Sequence, residues 1–257
     1  NGASLSGTSI SLANDAGDTL DVGGNASFTA SGAGGITIGA PGTVNFGSLS
    51  TSTTQAAAAT QVTEDSGLSG LTVSTTDGDV NVAFGADALT FAAATNALNF
   101  NAAGTDVSFT NSEGIELTGT STANSLSLTA TSGAITDASD ADLTVTNNAS
   151  FVANGAGGAI TLGDQGNNAD DFGSLTFNSV GAVSISQDSA VVVAGTNTAD
   201  SLSLTAEAGS ITDQSDADIT VTNNASFAAN GLGGAVTLGD QGNNADDFGS
   251  LTFNSVG

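Results

Sequence analysis

Ser125-Leu126-Ser127-Leu128-Thr129-Ala130, then Gly133-Ala134-Ile135-Thr136, then Asp142-Leu143-Thr144-Val145: three short bursts alternate apolar with hydroxyl side chains, separated by Gly, Ser, Asp and Ala. A period of two puts Leu126 and Leu128 on one side of an extended strand and Ser127 and Thr129 on the other, the pattern of a strand with one buried face. Gly, Ser, Asn and Asp between the bursts are turn formers. The same rhythm continues at Ile160 and Leu162, Leu175 and Phe177, Val183 and Ile185, and Val191 and Val193. No window carries a helix-period stripe, and abundant Ser, Thr, Asn and Gly disfavour helices. Only Gln55-Ala56-Ala57-Ala58-Ala59-Thr60 fits either a helical turn or a loop.

The bursts belong to a longer repeat. Thr120–Gly181 aligns without gaps with Thr196–Gly257 at an offset of 76 residues, so that Phe151 recurs as Phe227 and Phe172 as Phe248. The exchanges are mild: Leu143 to Ile219, Ile160 to Val236, Val152 to Ala228. The unit is predicted to fold as three rungs of roughly 25 residues, Asn124–Asn147, Asn148–Gly173 and Ser174–Ala199, each with two or three short strands. The second copy stops at Ser255-Val256-Gly257 where the first continues with Ala182-Val183-Ser184-Ile185, so a longer parent protein is expected.

Residues 1–119 show the same grammar in degraded form. Asn25-Ala26-Ser27-Phe28 matches Asn148-Ala149-Ser150-Phe151, and Gly35-Ile36-Thr37-Ile38-Gly39 matches Gly158–Gly163. Leu71-Thr72-Val73, Leu89-Thr90-Phe91 and Leu98-Asn99-Phe100 read as first strands of successive rungs, and residues 48–69 as the least regular coil. Near-identical units with such short strands favour stacking over a β-sandwich. The expected fold is an all-β parallel β-helix, a β-solenoid of about ten coils spaced ~4.8 Å apart.

Composition narrows the function. The 257 residues include 26 acidic side chains and no Lys, Arg, His or Cys. Nucleic acid and anionic membrane surfaces need cationic side chains for attraction. Zinc, haem and iron–sulfur sites lack their usual ligands, and catalytic triads and Schiff-base chemistry lack His and Lys. With 39% hydrophobic and 10% charged residues, the chain is too apolar for a disordered acidic tail and can build a thin core. Its first residues form no signal peptide, and no apolar run reaches transmembrane length.

The rung grammar of the opening stretch resembles the filamentous-haemagglutinin-like repeats of large bacterial exoproteins and the β-strand repeats of giant autotransporter-type adhesins. The resemblance covers nearly the whole chain and rests on pattern and Ser, Thr, Gly, Ala and Asn bias. It implies a right-handed β-helix, export to the cell surface or beyond, and a non-enzymatic role in adhesion or a fibrous layer. The expected partners are neighbouring repeats, other copies end to end through exposed terminal rungs, and surface glycans; a calcium-stabilised glycan-binding module is the alternative and a polysaccharide-acting enzyme the remote one.

Two acidic runs are the candidate sites. Asp164-Gln165-Gly166-Asn167-Asn168-Ala169-Asp170-Asp171 recurs as Asp240–Asp247. Hard oxygen ligands in a Gly-containing turn suit Ca²⁺, which points to Asp164, Asn167, Asn168, Asp170 and Asp171, with Asp240, Asn243, Asn244, Asp246 and Asp247 in the second copy. The competing reading is a solvated, solubilising corner. Asp137-Ala138-Ser139-Asp140-Ala141-Asp142 recurs as Asp213–Asp218; paired carboxylates serve glycosidases, but short Asp-rich turns need no catalytic purpose. Asn25, Asn148 and Asn224 head N-glycosylation acceptors, yet Asn at equivalent corners also stacks as an amide ladder, the preferred reading. Thr144-Val145-Thr146, a pair of the kind found on ice-binding solenoids, recurs only once per unit and is too sparse for an array.

Overall fold

Alternation decides which side chains turn inward. In the strand Thr120–Ala130, Ser121, Ala123, Leu126, Leu128 and Ala130 are buried. The beat slips at Asn124-Ser125, where the pairing register shifts, and this irregularity bends one continuous strand around a corner so that it serves two sheets. The strands Asp142–Ala153 and Asp218–Ala229 bend in the same way, with shifts after Val145 and Val221.

The computed structural model describes residues 1–39, 41–163, 169–239 and 245–255. It is a β-solenoid of about 11 turns with 64% of residues in strands, built from stacked parallel coils. One sheet carries Leu126 under Ala149 under Leu175. A second carries Ile135, Ile160, Val183, Leu202 and Ala225 in register. A third begins with Ser121 under Leu143 and Ala123 under Val145. Their inner faces enclose a continuous apolar core in which rings of adjacent coils meet: Phe151 and Phe172 at 5.7 Å, Phe227 and Phe248 at 5.9 Å. Leu128 and Leu204 are both fully buried, as their alternation implies.

Three expectations need correction. Residues 48–69 are regular, since Leu49 pairs with Leu71 and Ile36 with Thr60, both in parallel. The Ala-rich run before Thr60 is only a corner, closed by the Ala58 amide donating to the Gln55 carbonyl at 3.1 Å. The true departure lies between Leu71 and Val107, which stack directly although a long excursion separates them. Within it Leu98 lies opposite Phe91 and Leu89 opposite Val82, in antiparallel pairs. The links at Gly85-Ala86 and Ala93–Asn96 are too short for a parallel crossover, so the chain can only fold back.

The last correction concerns the 76-residue unit, which spans three rungs and one face more, not a whole number of rungs. From Leu126 the column climbs through Ala149 and Leu175 to Val193, completing three coils before Leu202, the equivalent of Leu126, is reached. Leu202 then lies on the second sheet above Val183. Each unit therefore closes three coils and advances one further face. The third coil is short because Val180-Gly181 replaces the longer Asn154–Ala159 link. A Cβ on Gly181 would stand 1.9 Å from the Gly158 carbonyl oxygen, so only glycine permits that link.

Candidate functional site

Three carboxylates of each unit converge where one coil passes to the next. Asp137 ends the strand Ile135–Asp137, and its Oδ2 accepts from the Gly163 amide of the coil above at 2.6 Å. Asp142 opens the following strand, and its Oδ1 accepts from the Ala169 amide at 3.0 Å. These two side chains thus engage Gly163 and Ala169 of the next coil. Asp170 reaches back down, its Oδ1 accepting from the Leu143 amide at 3.0 Å. The carboxylates thus accept from backbone amides that the sheet ladder leaves over at the corner.

The second copy repeats the network. Asp213 accepts from the Gly239 amide at 2.7 Å, Asp218 from Ala245 at 2.8 Å and Asp246 from Ile219 at 3.1 Å. A simpler version occurs lower down, where Glu64 and Asp65 accept from the amides of Phe46 and Val44 at 3.0 and 2.7 Å.

Asp170 is the most enclosed of these acids, with 1% of its surface exposed and its Oδ2 without a hydrogen-bond partner among the described residues. Burial pushes its carboxyl up to about 7, with Asp137 adding to the rise, the Leu143 amide opposing it, and Asp142 and Asp188 contributing further. Asp246 is also raised, again chiefly by burial. Asp188 comes from the coil above, where its amide donates to the Asp170 carbonyl at 3.0 Å.

Asp170 and Asp171 do not face one another. Phe172 points into the core, so its neighbour Asp171 points out, where the Ser189 hydroxyl donates to it, and Asp170 turns in. Asp247 is likewise exposed beside the half-buried Asp246. The remaining calcium candidates, Asp164, Asn167, Asn168, Asp240, Asn243 and Asn244, lie outside the described residues. Among the described residues no group of three acidic side chains is placed to hold a metal ion. The clamping role of Asp137 and Asp142 went unread in the sequence, although each sits 26 or 27 residues before its amide partner, about one coil away.

A second network, built mainly of Asn and Ser side chains, runs up the bends. Asn147 donates to Asn124 Oδ1 at 3.0 Å and Asn124 to Asp106 at 2.7 Å, linking three coils. The Oδ1 atoms of Asn25, Asn148 and Asn224 each accept at 3.0 Å from the hydroxyl above, Ser48, Ser174 and Ser250 respectively. The expected amide ladder is therefore corrected at these three positions, where each Asn meets a Ser hydroxyl, and the amide-to-amide step lies at Asn147 and Asn124 instead.

No curated protein and no solved structure matches the chain. A family model described as repeats of unknown function (DUF5649) matches it twice, over residues 104–176 and 180–252, with starts 76 residues apart. Those two stretches make up more than half of the sequence and contain both acidic clamps described above, and on that match the chain belongs to the DUF5649 repeat family.

Proposed function

We propose that the chain is a non-enzymatic shaft segment of a large extracellular or cell-surface repeat protein, holding adhesive or structural parts at a distance. The observation that carries this reading is the unbroken stacking of coils: each 76-residue unit adds length and presents the same corner chemistry again. About 11 turns at ~4.8 Å give a rod of roughly 50 Å. Asp137, Asp142 and Asp170, with Asp213, Asp218 and Asp246 in the second copy, bond backbone amides of neighbouring coils at the corners. A surface rich in carboxylates and free of thiols suits an exposed, oxidising setting.

Two measurements test the reading. Antibodies raised against the chain are expected to label intact cells of the source organism; labelling only after permeabilisation would remove the surface assignment. In small-angle scattering, chains extended by further 76-residue units should lengthen by ~16 Å per unit at constant cross-section. Growth in all dimensions would rule out a shaft.

A further inference from the structure

The outer side of the first sheet carries a regular hydroxyl lattice. One column climbs from Ser27 through Ser50, Thr72, Ser108 and Ser127 to Ser150, each in register with the next. A second column, two residues further along each strand, runs from Thr29 through Ser52, Ser74 and Thr110 to Thr129. The direct stacking of Val107 on Leu71 keeps both columns continuous across the antiparallel excursion. Five successive coils therefore each present a hydroxyl pair, spaced ~4.8 Å along the axis and ~7 Å along the strand.

Three properties set this face apart. None of these hydroxyls is hydrogen-bonded to another described residue, whereas those of Ser48, Ser69 and Ser174 at the corners are engaged. Neither column contains any of the 26 acidic residues. On the second sheet a matching column, Thr161, Ser184, Ser203 and Ser226, has no continuous companion, because Gly163 and Ala228 interrupt it.

We propose that the two-column face of the first sheet adsorbs to ice. The two spacings lie close to the oxygen repeats of hexagonal ice, and a rigid solenoid holds its hydroxyls in place without an ordering cost on contact. Other occupants fit less well. Apposing a second copy would bring two chains of charge −26 together for an exchange of hydroxyl–water hydrogen bonds that gains little. A soluble sugar finds no aromatic ring in either column on which to stack. The inference goes beyond the shaft reading and does not depend on it. The Thr144 and Thr146 pair is not part of this array, which is carried by Ser and Thr flanking Phe28, Val73, Phe109 and Leu128.

The test uses the 257-residue chain in a nanolitre osmometer, with serum albumin at equal mass as the baseline. The unchanged chain is expected to shape ice crystals and open a gap between melting and freezing. Thr110→Tyr with Ser127→Tyr should abolish both effects, while Ser184→Tyr with Ser203→Tyr on the second sheet should leave them intact. If the first pair fails to fold by circular dichroism, Ser108→Ala, Thr110→Ala and Ser127→Ala together remove the hydroxyls without bulk and should also reduce the gap. No activity above albumin, or equal activity in the variants of both sheets, overturns the proposal. Sedimentation showing a dimer that Thr110→Tyr dissociates, without any effect on ice, assigns the face to a second copy and overturns it as well.

Discussion

Asp170 places an ionisable group where solvent does not reach, and the sign of its effect follows from its raised pKa. Its carboxyl titrates near 3.8 in the unfolded chain and at about 7 in the fold. Below the lower value both states are protonated and the fold has its full stability. As pH rises from there through about 7 the unfolded state releases its proton first, and stability falls by on the order of a few kcal/mol. Thermal melts between pH 4 and pH 8 are expected to show this decline against an Asp170→Asn reference, which keeps the acceptor for the Leu143 amide but cannot ionise. Parallel curves for the two proteins would mean that Asp170 is not enclosed in solution. This burial was legible in principle: the inward parity of Phe172 passes to Asp170 two residues before it. An Asp-Asp pair in a polar turn instead suggests solvent for both, because nothing local shows that a coil closes over one of them.

Strands were the most legible level, since a hydrophobic side chain at every second position needs no distant partner to be recognised. Leu128 and Phe151 are fully buried as read. Leu128→Asp is expected to place a charge among apolar neighbours and prevent cooperative melting, and Phe151→Ala should cost about 3–5 kcal/mol in denaturant unfolding. Thr129→Ala, on the outer side of the same strand, should change stability by less than about 0.5 kcal/mol. A Phe151→Ala melt as mild as that of Thr129→Ala would displace Phe151 from the core. Pairing partners were harder to read. Leu89-Thr90-Phe91 and Leu98-Asn99-Phe100 alternate like any parallel strand, and only the shortness of Ala93–Asn96 reveals that they fold back on each other. The acidic clamps were illegible for a related reason, as Asp137 meets Gly163 across a coil whose length varies.

The whole molecule was read least accurately, because a repeat length divides into coils only when the length of each coil is known. The third coil is shorter than its neighbours, so the second unit starts one face further round. Cysteines at the equivalent exposed corners Ser139 and Ser215, in a chain with no cysteine of its own, allow a direct check by spin-label distances. Units stacked in line would put the labels near the rise of three coils, ~14 Å. The rotated arrangement adds the width of a face, so a clearly longer distance is expected, and one at the in-line value would refute the rotation. Salt is a separate check at this scale: with 26 acids and no base, added NaCl should raise the melting temperature by screening self-repulsion.

The advance of one face per unit makes an array of these repeats a screw. The fourth unit returns to the azimuth of the first, and the two units between point their acidic corners in the two remaining directions. A rod threaded in this way has no front or back, so anything that reads its corners meets them from whichever side it approaches. Like carboxylates of neighbouring units are also set apart both along and around the axis, beyond the ~8 Å over which charge is felt in physiological salt. Length can then be added without charge accumulating along any one edge.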